Sequence, residues 1–168
     1  PILLNAVEAQ AADWPMWRCD AARRGATGEA LADELHLQWT LPLTPVLPAW
    51  PNESRLWFDA SYEPVVAGDT LVVGSPIDGS VRACDVATGQ ERWRFYTEGP
   101  VRFAPVVTAD RVFAGSDDGS LYCLRLADGT LRWKVRGAPE DASDQRHLGN
   151  NRLISHWPVR GGPVLADG

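Results

Sequence analysis

Between residues 61 and 135 the apolar positions come in short runs, and glycine, proline or aspartate interrupts them every few residues. Val65-Val66 and Leu71-Val72-Val73 are continuous apolar stretches, whereas Gln90-Glu91-Arg92-Trp93-Arg94-Phe95 alternates polar with apolar. A continuous β-branched run suits a strand buried on both faces, and alternation suits an outer strand with one wet face. Asp78-Gly79 and Thr88-Gly89 supply turn chemistry between the runs, with Ser80 to Val86 as a third strand. No window here sustains a 3.6-residue period over ten residues, which argues against helices. The pattern predicts four short antiparallel strands joined by tight turns.

The same pattern then recurs. Residues 64–95 align with 105–135 after one deletion at the turn, with 13 identities over 31 aligned positions; average usage would give roughly two. Pro64 matches Pro105, Gly74-Ser75 matches Gly115-Ser116, and Asp78-Gly79-Ser80 matches Asp118-Gly119-Ser120. Gly89 and Arg92-Trp93 match Gly129 and Arg132-Trp133, and the two tryptophans stand 40 residues apart. That period fits four-stranded propeller blades and not leucine-rich or ankyrin repeats.

The expected architecture is all-β: a partial β-propeller of four-stranded antiparallel blades, spanning residues 13–168. Two complete blades fall at about 62–96 and 103–135. Pro163-Val164-Leu165-Ala166 repeats Pro64-Val65-Val66-Ala67, so a third blade begins near 162. A closed propeller has about four to eight blades, and the sequence therefore reads as a fragment. Near the start, His36-Leu37-Gln38-Trp39 reads as an N-terminal closing strand carrying its own docking tryptophan.

Ala83-Cys84-Asp85-Val86-Ala87-Thr88-Gly89-Gln90-Glu91-Arg92-Trp93 resembles the A-x-D-x-x-T-G-x-x-x-W signature of the quinoprotein-like family, the pyrroloquinoline-quinone-type repeat propellers. The second copy is degenerate, with Cys123, Arg125 and Asp128 in place of Ala, Asp and Thr, while Gly129 and Trp133 remain. Asp13-Trp14-Pro15-Met16-Trp17-Arg18 is similar to the segment preceding the first blade in many members. The signature is structural, since the turn glycine admits positive φ and the tryptophan packs on the neighbouring blade. The resemblance implies either a calcium-dependent quinone dehydrogenase or a propeller without quinone, such as an outer-membrane β-barrel assembly lipoprotein. Fold alone does not choose between them. A WD-type propeller fits less well, because Trp93 is followed by Arg94 and Trp133 by Lys134.

Charge and composition narrow the partners. With 16 Lys+Arg against 22 Asp+Glu and a net charge of -6, the chain has no general attraction for nucleic acid or anionic membrane. No apolar run approaches the roughly 20 residues of a transmembrane segment. Residues 1–12, with Ile2-Leu3-Leu4 and Ala9-Gln10-Ala11, are compatible with the remnant of a secretory signal and a periplasmic or cell-envelope location. Cys19, Cys84 and Cys123 have no metal or disulfide spacing and read as small buried thiols.

Chemistry is expected in two long connectors, residues 40–61 and 136–161, which should emerge on the same end as the short connector 96–102. Candidate binding residues are Trp57 and Asp59 in the first and Arg146, Asn150, Arg152, His156 and Trp157 in the second. Arg102 and Arg160, each three residues before a blade-opening proline, form a pair suited to a carboxylate or phosphate, or else to an internal salt bridge with Glu63, Asp59 or Glu98. His147 and His156 lack metal spacing, no nucleophile elbow occurs, and Asp117-Asp118-Gly119 reads as a hairpin turn. The sequence favours a non-catalytic envelope scaffold that binds a protein or extended polymer and needs no cofactor. The alternative is an alcohol or sugar dehydrogenase using pyrroloquinoline quinone and calcium, for which Asn150 or Asn151 would supply the amide and Asp59 or Glu63 the carboxylate; the adjacent cysteine pair often found beneath the quinone is missing.

Overall fold

The computed structural model describes residues 12–48, 61–149 and 152–166. It is all-β, with two four-stranded antiparallel sheets in meander order and one two-stranded hairpin. The first sheet comprises β1 (Val65–Ala67), β2 (Thr70–Gly74), β3 (Ser80–Asp85) and β4 (Glu91–Tyr96). The second comprises β5 (Val106–Val107), β6 (Arg111–Gly115), β7 (Ser120–Arg125) and β8 (Leu131–Arg136). These are the two blades expected from the repeat, and even a register shift recurs, at Ala83/Cys84 and at Cys123/Leu124.

The blades share one core, in which Val65, Val72, Val81 and Ala83 of the first meet Val107, Val112, Ala114 and Leu124 of the second, with Trp93 and Val101 between them. Residues 13–15 strap the inner strands. Trp14 exchanges two backbone hydrogen bonds of 2.9 Å with Val66, and Val107 N–H donates to the Pro15 carbonyl at 2.8 Å. Asp13 accepts from Gly68 N–H at 2.7 Å.

Blade-to-blade docking follows one rule, written twice. Trp93 Nε1 donates to the Leu126 carbonyl at 2.7 Å and its ring covers Gly129. Trp39 Nε1 donates to the Val86 carbonyl at 2.8 Å and its ring covers Gly89. Both glycines sit at positive φ, +70° and +71°, and a Cβ on either would fall within 2.6 Å of indole carbons. Truncating a buried tryptophan of this kind costs about 3–5 kcal/mol.

Trp39 thus stands where the outer strand of a preceding blade would put its tryptophan, although residues 35–41 pair with no strand among the described residues. Pro163, Val164 and Leu165 lie over Val106, Phe113 and Trp133 at the open side of the second blade, and they too are not strand-paired. Trp133 is 42% exposed where its counterpart Trp93 is 8% exposed, and among the described residues no turn glycine docks on it as Gly129 does on Trp93.

Candidate functional site

An antiparallel meander places the β2–β3 and β6–β7 turns at one end, together with the connectors that leave β4 and β8. Close backbone approaches confirm that they share it: Asp117 N–H donates to the Pro100 carbonyl at 2.8 Å, and Ser155 N–H donates to the Asp117 carbonyl at 2.7 Å. The connectors after β4 and β8 therefore emerge together, as expected. They also dock alike, through a Pro-Val-Arg triplet at residues 100–102 and again at 158–160. Val101 packs on Gly74 and Val159 on Gly115, where a Cβ would lie 2.5 and 2.6 Å from the valine methyl.

The arginines of these triplets converge, and the carboxylate they meet is Asp117. Arg102 Nε donates to Asp117 Oδ2 at 2.5 Å in a pair that is 7% and 1% exposed. Arg160 approaches Asp117 Oδ1 at 3.9 Å and is 48% exposed. Oδ1 is buried without a hydrogen-bond partner. Among the described residues neither Glu63, which accepts from Ala104 N–H at 2.8 Å, nor Glu98, which pairs with Lys134 and Arg146, is seen to answer these arginines; Arg102 has a further interaction besides Asp117, and Asp59 lies outside the described residues. Sequence reasoning passed over Asp117 because the one-residue deletion puts it opposite Pro76-Ile77 of the first blade, where it reads as part of a turn. Asp118 does perform that turn role, accepting from Ser120 N–H at 2.8 Å.

The connector 136–161 is not a loop throughout, as its length implied. It contains a hairpin of β9 (Arg146–Gly149) and β10 (Arg152–Ser155), with Leu148 paired to Leu153. Glu98 fixes this hairpin to the second blade by accepting from Lys134 at 2.8 Å and Arg146 at 2.7 Å. Those two cations, Lys134 foremost, hold the Glu98 carboxyl below the usual range. Lys134 also lies over the Tyr122 ring. Burial, and then the hydrogen bond to Asp118, pushes the Tyr122 hydroxyl up to about 12.

The remaining candidates cluster on the hairpin. Arg152 makes no ion pair among the described residues and, with Leu153, lines a cleft of about 240 Å³ against Ile77–Gly79 and residues 97–100. His156 packs edge-on against both His147 and Trp157, with centroids 6.0 and 5.7 Å apart, an adjacency the nine-residue spacing did not reveal. Leu148, Leu153 and Trp157 are 74%, 55% and 45% exposed. Trp57, Asp59 and Asn150 lie outside the described residues.

A calcium site needs six to eight oxygen ligands. Among the described residues no group of three or more His, Cys, Asp or Glu side chains gathers; of the two buried carboxylates at this end, Asp117 holds a guanidinium and Asp118 accepts from Ser120 N–H and the Tyr122 hydroxyl. Among the described residues, no helix is long and apolar enough to cross a membrane.

Comparison with known proteins agrees with the architecture. No curated protein matches the sequence. The fold superposes on quinohemoprotein alcohol dehydrogenase from Comamonas testosteroni with a TM-score of 0.58 at 20% identity, covering 97% of this chain and 23% of that one. A europium-containing methanol dehydrogenase gives 0.52 at 17% identity, covering 92% and 26%. BamB from Moraxella catarrhalis gives 0.40 at 20% identity over 44% of this chain and 22% of that one. The chain thus spans about a quarter of the length of these structures. A family model described as outer membrane protein assembly factor BamB matches residues 11–156, and the chain belongs to that family of quinone-type repeat propellers.

Proposed function

We propose that the chain is part of a non-catalytic propeller of the cell envelope that holds a protein or other extended polymer at its connector-rich end. The observation that carries this reading is the division of labour at that end. Of the converging arginines, the feature best suited to a small anionic ligand, the buried Arg102 is engaged by the chain's own Asp117, and the exposed Arg160 stands 3.9 Å from the same carboxylate. The hairpin above them and the residues just after it turn Leu148, Leu153 and Trp157 outward, and among the described residues Arg152 makes no ion pair. Exposed apolar side chains grouped beside a cation are the material of a protein interface. The family match to an outer membrane assembly factor supports the envelope location and a protein partner.

A photo-crosslinking residue at Leu148 or Leu153 of the full-length protein should yield one discrete protein adduct in envelope preparations, and the same residue at Arg24, away from the hairpin, should not. Equal, diffuse labelling from all three positions would refute the assignment of the partner surface.

A further inference from the structure

At the end of the propeller opposite the connectors, the two blades use the same corner with inverted charge. In the first blade the corner holds Asp69, Thr70, Asp85, Thr88 and Arg92; the equivalent residues of the second are Asp110, Arg111, Arg125, Asp128 and Arg132. The net charge changes from −1 to +1 across five equivalent positions. In the first blade Arg92 is fully answered, donating to Asp69 at 2.7 and 2.9 Å and to Asp85 at 2.6 Å. In the second blade Arg111 and Arg132 share Asp110 at 3.4 and 3.3 Å, and Arg125 reaches Asp128 at 3.2 Å. Three guanidinium groups thus divide two half-exposed carboxylates, at 3.2–3.4 Å where Arg92 has 2.6–2.9 Å.

Arg111 and Arg125 are also direct cross-strand partners. Like charges opposed across a ladder destabilise it, and an anion between them would reverse the sign. Both arginines line a cleft of about 510 Å³ with Thr130, Leu131, Arg132 and Trp133. Docking of a following blade on Trp133 would not close the polar end of this cleft. The first blade shows why: Trp93 is covered by Leu126 and Gly129, yet Arg92 and Asp85 beside it stay 31% and 27% exposed.

We infer that Arg111, Arg125 and Arg132 form an anion site for a phosphate group, carried by a soluble compound or by a lipid headgroup. Three forked donors at the polar end of the cleft match the tetrahedral oxygens of one phosphate and are too few for a polyanion. The site is independent of the partner surface proposed above and lies at the other end of the blade.

The test uses full-length protein and calorimetric titration with inorganic phosphate at low ionic strength. The decisive variant is R111T/R125D, which installs the residues the first blade already folds with; R125Q serves as a second variant should the first misfold. The wild type should bind phosphate saturably, one per chain, and the variants should lose at least about tenfold in affinity. Co-sedimentation with phosphatidylcholine vesicles, with and without phosphatidic acid, separates the sources. Arginine-dependent binding to the phosphatidic acid vesicles assigns a headgroup, and binding to free phosphate alone assigns a soluble compound. No saturable binding by folded wild type, or equal binding by the variants, overturns the inference.

Discussion

Replacing Asp117 tests whether the two converging arginines serve the fold. The Arg102–Asp117 pair is 7% and 1% exposed, and removing one partner of a buried pair costs about 3–5 kcal/mol because the other charge is left in a poor solvent. Arg102 retains a further interaction, so the loss for Asp117→Leu should sit near the low end of that range. Arg160 stands 3.9 Å from Asp117 and is 48% exposed; an ion pair so hydrated is worth about 0–1 kcal/mol. Urea denaturation of the full-length protein, followed by tryptophan fluorescence, should therefore rank Asp117→Leu and Arg102→Leu far above Arg160→Gln. The double variant Arg102→Leu/Asp117→Leu should cost less than the two single changes added together, since no unpaired charge remains. If Asp117→Leu stayed within about 1 kcal/mol of wild type, or Arg160→Gln cost as much as Arg102→Leu, the internal-lock reading would be wrong.

Two further outcomes follow from particular contacts. Gly129→Ala places a Cβ 2.5 Å from Trp93 at a positive φ and should cost about 2–4 kcal/mol, whereas Gly68→Ala, at φ +55° with open space around it, should cost only about 1; equal losses in thermal denaturation would argue against the docking rule. Tyr122 is held neutral to about pH 12 in the fold and titrates near 10 when unfolded. Its contribution is thus fully present below about pH 10 and is lost as pH rises toward 12, so Tyr122→Phe should flatten the fall in stability across that window. A variant as steep as wild type would refute the assignment.

Much of this architecture was legible because a propeller repeats itself. Glycine at 89 and 129, with tryptophan at 93 and 133, sets turn, strand and docking contact together, so one alignment fixed both blades. Local chemistry was less legible where the repeat breaks. Asp117 owes its role to a one-residue deletion and to arginines that arrive from two different connectors, and no window of sequence contains all three. The β9–β10 hairpin left a weak signal, two short runs around Gly149 and Arg152 separated by two asparagines, which the length of the connector obscured. The Pro-Val-Arg triplet was visible at residues 100–102 and 158–160, but only its arginines stood out as chemistry, while its valines prove to be the docking contact. Tertiary pairing of the His147 and His156 rings depends on the hairpin and could not be read from their spacing.

The central claim, a propeller that binds without catalysing, is tested most directly by titrating the full-length protein with pyrroloquinoline quinone and calcium while following tryptophan fluorescence and dye-linked oxidation of an alcohol panel. The account predicts neither saturable quenching nor turnover. Saturable quenching accompanied by alcohol oxidation would contradict it and make the protein a quinone-dependent dehydrogenase.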